Sequence, residues 1–220
     1  LVEFNEINSL SYYIQMYQGI SKRLSNYCFF QATKERTAHT GVVLVNGLKF
    51  LEDQMIKENR LTGDFDLITG ASNSIKRSML PLAEDISKKL KEPTNEKYFG
   101  IAEFLGGGIT GRLQVITKDK RIRNCFYDEI FADRKEEIED VELKPYYRQS
   151  KYYSLDYVST IGVGFNTIVD MLNEHVKNVQ DLMDLDGLPF TTGPNYASEW
   201  DNYLKLAKKL SYFMSNTQSI

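Results

Sequence analysis

A mainly α, multi-helix, bundle-like domain with a small β-hairpin inserted near the middle of the chain is the fold this sequence predicts. Apolar residues recur at helical spacing over most of the 220 residues. Two short β-rich runs flank one polar turn near Lys118. No internal repeat at a period of roughly 20–50 residues suggests a solenoid or propeller. The organisation expected is one helical domain, 1–220, with a hairpin and charged insertion at about 106–153.

The elements follow in order. From Glu6 to about Thr33, Ile7, Leu10, Ile14, Tyr17, Leu24 and Tyr27 form one stripe of a long amphipathic helix. Segment 40–59 repeats the pattern through Leu44, Leu48, Leu51 and Met55, although Gly41 and Gly47 each weaken a helix by ~1 kcal/mol against Ala. Segment 72–91 carries Ile75, Met79, Leu82, Ile86 and Leu90 on one face. Pro81 inside it lacks an N–H, which predicts a kink or two abutting helices. Glu92-Pro93-Thr94-Asn95 then stops the helix.

The middle of the chain changes character. Gly106-Gly107-Gly108 interrupts a short apolar segment, Tyr98 to Leu105, and Leu113, Val115 and Thr117 alternate with Gln114 and Ile116. Ile122, Asn124 and Phe126 follow the polar Lys118-Asp119-Lys120-Arg121, so a hairpin is expected. Residues 128–142 hold eight acidic side chains against Arg134 and Lys135, the pattern of a solvated helix or loop. Beyond Pro145, a helix capped by Ser154 or Asp156 is expected to run to about Leu185, and another to start near Asn195. Leu10, Ile14, Leu48, Leu51, Ile161, Phe165, Ile168, Leu172, Leu204 and Leu210 are the expected core.

Composition bounds the function classes. With 42% hydrophobic and 26% charged residues the chain is neither wholly disordered nor collagen-like. Lys plus Arg is 27 against 30 acidic residues, a net charge of −3, so no overall basic footprint for nucleic acid exists. The two cysteines, Cys28 and Cys125, are too few for a disulfide framework or a zinc site, and buried free thiols are expected. No apolar stretch approaches the ~20 residues of a membrane span, and no signal peptide opens the chain. A cytoplasmic protein without a membrane partner is expected; its start at Leu1, without an initiator Met, suggests processing or trimming.

Motifs for chemistry are weak. Gly106, Gly108 and Gly111 satisfy G-x-G-x-x-G, whose glycines let backbone N–H groups approach a phosphate at a helix N-terminus. That motif needs a following helix, whereas Arg112 to Ile116 reads as extended. Asp184-Leu185-Asp186-Gly187 places Leu182 and Gly193 where an EF-hand needs carboxylates. His39 and His175 form no metal or catalytic pattern. No metal, cofactor or catalytic residue is assigned, and a non-enzyme is expected.

The candidate binding surface is basic and aromatic. It joins Arg112, Lys118, Lys120, Arg121 and Arg123 to Tyr146, Tyr147, Arg148, Lys151, Tyr152 and Tyr153. Tyr and Arg are enriched at protein contacts, so a non-catalytic binding or assembly protein, working through a protein partner or self-association, is the leading expectation. Nucleic-acid binding is the first alternative, because cations beside aromatic platforms suit phosphates and stacked bases. An enzyme holding a phosphorylated ligand at the Gly-rich turn is the second.

Overall fold

The computed structural model describes residues 2–7, 18–27, 43–157, 159, 162–192 and 196–217. The chain divides into two compact units, Leu1–Pro93 and Thr94–Ile220. The boundary falls in the Glu92-Pro93-Thr94-Asn95 run that stops the preceding helix.

In the first unit, helix α1 (Val43–Glu58) buries Leu44, Leu48, Leu51 and Met55, the stripe expected from spacing. Gly47 has a packing role: a Cβ there would overlap that of Ala71, so its absence allows the close approach. A short helical turn α2 (Ser72–Ser74), a π-helical segment (Ile75–Met79) and α3 (Leu80–Lys89) follow without a break. The wide turn precedes Pro81, which occupies the first turn of α3, where a missing N–H costs least. Ala71, Ile75, Met79 and Ala83 complete this core with Phe4.

The expected helix from Glu6 to Thr33 is corrected where the chain is described. Ile7 and Ser21 form an antiparallel bridge, and the Lys22 amide donates to the Glu6 carbonyl at 2.8 Å. Gly19 lies at φ +73, and Ser21 Oγ accepts the Leu24 amide at 2.9 Å, so side-chain and turn bonds replace helical ones. Leu10 and Ile14 lie outside the described residues. Buried Glu52 ties this segment down, accepting from the Phe4 amide and from Arg23 Nη1, each at 2.6 Å.

The second unit overturns the helical-bundle expectation. It holds a three-stranded antiparallel sheet in the order β1 (Glu96–Gly106), β2 (Ile109–Lys118), β3 (Arg121–Phe131). With helices α4 (Phe165–Val179) and α5 (Glu199–Thr217), this is an α+β arrangement, not an all-α bundle. The β2–β3 hairpin is the one the alternation predicted, closed by Asp119 and Lys120 at φ +51 and +64. Strand β1 escaped because both of its faces carry small or apolar groups. Phe99 and Ile101 point to the core, while Tyr98, Gly100, Ala102 and Phe104 point away, which hides the period of two.

Leu113, Val115, Cys125 and Tyr127 of the sheet meet Phe165, Ile168, Leu172 and Val176 of α4 and Trp200, Tyr203, Ala207 and Leu210 of α5. Both helices therefore cover the same sheet face. The helix expected from Ser154 or Asp156 to Leu185 is shorter at both ends. A turn at Gly162, φ +75, precedes it, and Gln180 ends it in the left-handed region at φ +64. Ile161 lies outside the described residues, and Leu204 is only partly buried. Among the described residues no helix is long and apolar enough to cross a membrane.

Truncating a buried leucine removes its contacts and leaves a cavity. Leu48→Ala and Leu172→Ala should each cost ~2–5 kcal/mol in urea titrations, and Leu204→Ala less. Losses below about 1 kcal/mol at both buried sites would mean that the packed helical faces are wrongly assigned.

Candidate functional site

The acidic segment begins inside the sheet. Asp128 and Glu129 close β3 and are fully buried, against the expectation of a solvated run from 128 to 142. Glu129 shares the inward face with Cys125, Tyr127 and Phe131, so strand alternation fixes its direction. Its carboxylate accepts from Tyr127 Oη at 2.6 Å, Lys151 Nζ at 2.5 Å and Asn202 Nδ2 at 3.1 Å.

Lys151 sits in an aromatic cage, with Nζ 5.1 Å from the Tyr157 ring centroid, 5.8 Å from Phe165 and 5.9 Å from Phe131. Burial works against its charge, but the Glu129 carboxylate and Tyr157 more than offset this, and its pKa is raised. Glu199, at the start of α5, adds a buried carboxylate whose Oε2 has no hydrogen-bond partner among the described residues. Glu129 and Lys151 are thus paired with one another inside this cluster, while one Glu199 oxygen is not.

The pair anchors a strap, residues 148–151, along the free edge of β3. Lys151 N–H donates to the Glu129 carbonyl at 2.8 Å, Phe131 N–H to Gln149 at 2.9 Å, and Ser150 bridges Ile130. The strap covers Asp128, whose Oδ1 accepts the Glu129 amide at 2.8 Å and the Tyr152 amide at 3.2 Å. Burial pushes the Asp128 carboxyl up to about 7, while Ser150, the Tyr152 amide and the Arg112 charge pull the other way.

The predicted surface residues therefore separate. Lys151 is buried on Glu129, and Arg112 stands opposite Asp128 in the sheet. Tyr146 stacks on Phe131 at 5.7 Å, Tyr152 packs edge-on against Phe126 and donates to Asp170 at 2.9 Å, and Tyr153 meets Tyr152 at 4.9 Å. Arg148 Nε donates to the Asp133 carbonyl at 2.9 Å, and Tyr147 lines a shallow cleft with Lys135, Val141 and Pro145. Only the hairpin tip stays outward: Lys118 pairs loosely with Glu96 at 3.3 Å, and Lys120, Arg121 and Arg123 are exposed.

Gly106, Gly107 and Gly108 all have positive φ and turn β1 into β2, so no helix N-terminus stands behind them. The Gly107 and Gly108 carbonyls accept from the Glu139 and Ala132 amides at 3.3 and 2.8 Å. A Cβ on Gly108 would strike the backbone of Glu137 and Ile138, so this glycine seats the acidic loop. Gly111 faces Leu105 and Leu206. His175 donates through Nε2 to the Asp184 carbonyl at 3.0 Å; His39 and Cys28 lie outside the described residues. Burial pushes the Cys125 thiol up to about 12 despite a hydrogen bond with Tyr203, leaving it protonated.

The two edges of the sheet are treated differently. The β3 edge is closed by the strap, by Gln180, which bonds both Ile122 N at 2.8 Å and Ile122 O at 3.0 Å, and by Asn173, which accepts the Cys125 amide at 2.9 Å. From Phe99 to Phe104, no strap or side chain among the described residues bonds the outer edge of β1. Beside that edge, on the sheet face away from α4 and α5, Tyr98 is 55% and Phe104 71% exposed. Neither stood out in the sequence, since each sits in a segment that reads simply as apolar.

What fold and site define together is a helix-backed antiparallel sheet with one closed edge and one that, from Phe99 to Phe104, nothing among the described residues bonds. No family model matches this chain, and no curated protein matches it. Among solved structures, the crystal structure of the CPE2226 protein from Clostridium perfringens is similar over 58% of this chain and 94% of its own. Identity is 15% and the TM-score 0.41, a likeness that defines neither fold nor function here.

Two consequences can be measured. Asp128 holds its proton in the fold up to about pH 7 but loses it near pH 4 when unfolded, so its contribution to stability falls as pH rises between those values. Asp128→Asn should match the parent near the lower value and exceed it by roughly 1–3 kcal/mol above the higher one; a pH-independent difference in Tm would contradict this. Lys151→Met leaves the buried Glu129 charge without its cation and should cost about 3–5 kcal/mol by urea titration.

Proposed function

We propose that this chain is a non-catalytic binding or assembly protein that works through the open edge and charged ends of its second unit. The observation that carries this reading is the asymmetry of the sheet. Three separate devices close the β3 edge, while among the described residues nothing bonds the outer edge of β1 from Phe99 to Phe104, beside exposed Tyr98 and Phe104. An unpaired strand edge is a template for another chain, and folds that do not use one normally blunt it. Several groups that a reaction would recruit are instead committed internally: Glu129 to Lys151, Asp128 Oδ1 to two amides, and Cys125 to its thiol form. A buried free thiol also suits the reducing cytoplasm.

Charge supports the same reading. Exposed Lys120, Arg121 and Arg123 mark one end of β2, and exposed Glu136, Glu139, Asp140 and Glu142 lie by the glycine turn at its other end. Such fields govern register and encounter rate more than affinity. Reversing Lys120, Arg121 and Arg123 to Glu together should weaken association at least about tenfold in sedimentation while leaving Tm nearly unchanged. A parent that sediments as a monomer indistinguishable from the triple variant would overturn the reading. Salt-sensitive binding of labelled single-stranded oligonucleotide, lost in that variant, would replace it with the nucleic-acid alternative.

A further inference from the structure

The geometry points to a second copy of this chain as the partner, paired antiparallel through β1 about a two-fold axis at Ile101. This inference rests on the binding and assembly reading above and names its partner. Strand β1 is self-complementary in that register. The positions directly opposite one another sit equally far from Ile101, so Tyr98 faces the partner's Phe104 and Phe104 faces the partner's Tyr98. All four rings lie on the sheet face that α4 and α5 leave uncovered, because directly paired residues share a face. Gly100 faces the partner's Ala102 between them, leaving room for the rings; the Tyr98 side chain already lies across Gly100. Aromatic cross-strand pairs are among the stronger ones in a sheet.

On the opposite face Ile101 meets the partner's Ile101, and Lys97 is diagonal to the partner's Glu103. The irregularity between Phe104 and Gly106 ends the pairing on both sides. Each copy would add its three strands to one continuous sheet of double width.

Charge at the ends of the sheet selects the antiparallel orientation. The basic tip lies beside the start of β1, where Glu96 pairs with Lys118. The acidic loop lies beside its end, held by the bond from Glu139 N–H to the Gly107 carbonyl. The length of β2 keeps these ends about 30 Å apart within one copy, beyond a Debye length. A two-fold axis through Ile101 brings Lys120, Arg121 and Arg123 of each copy to the acidic end of the other. A parallel pairing would set like against like.

A charge swap at the aromatic positions tests the register in the full chain. Tyr98→Glu should weaken dimerisation at least about tenfold in sedimentation equilibrium, since it sets a carboxylate against the partner's Phe104 ring, and Phe104→Lys should weaken it less, since a cation over the partner's Tyr98 ring keeps part of the attraction. The double variant, Tyr98→Glu with Phe104→Lys, should recover dimer, because each new Glu then faces a new Lys across the axis. Within one copy these positions are six residues apart on one strand and cannot pair. Circular dichroism and Tm near the parent value establish that each variant is folded. A folded double variant as monomeric as the single ones overturns the proposal, as does a parent that never dimerises. An oligomer insensitive to both single changes but lost on reversing Lys120, Arg121 and Arg123 overturns the β1 pairing and leaves the binding reading standing.

Discussion

The Glu129–Lys151 ion pair is the contact on which the second unit depends. Burying both charges is costly, and the cost is offset only because each charge finds several partners. Glu129 accepts from Tyr127, Asn202 and Lys151, and Lys151 lies against three aromatic rings. The pair joins the inward face of β3, the start of α5 and the strap in one cluster. It holds residues 148–151 along β3, which in turn shields Asp128 from water and seats Tyr152 against Phe126.

Closing one edge makes the other conspicuous. Gln180 acts as a surrogate backbone for Ile122, supplying both a donor and an acceptor, and its left-handed conformation ends α4 at the place where the side chain can reach. Asn173, two helical turns earlier, accepts the Cys125 amide. Together with the strap, these residues leave β3 little capacity to pair with another chain. Among the described residues strand β1 receives no such treatment between Phe99 and Phe104, where a bulge near its end and the charges of Lys97 and Glu103 are what guard the edge. Glu103 is itself held by Lys209, both oxygens at 2.6 Å, which ties β1 to α5.

Local chemistry was largely legible in the sequence. Helical spacing located α1, α4 and α5 and the leucines they bury, and period-two alternation with a polar turn located the β2–β3 hairpin. Pro81 marked the place where the helix changes its winding, and Glu92-Pro93 marked a stop. The basic tip at Lys120, Arg121 and Arg123 was legible as well, because a two-residue turn forces its flanking side chains to the surface.

Tertiary structure alone decided which of two equally apolar faces of Tyr98–Leu105 is covered, and so whether that segment is a strand at all. A helix needs one apolar face and declares it every three or four residues; a strand between a core and an open edge can be apolar on both. Tertiary structure also decided the fate of the charges. Glu129 and Lys151 are 22 residues apart and look like any surface acid and base, but antiparallel pairing of the strap with β3 brings them together where water is absent. Sequence sets which groups carry charge and which segments can form regular structure. The long-range pairing of strands sets which charges meet and which edge is closed.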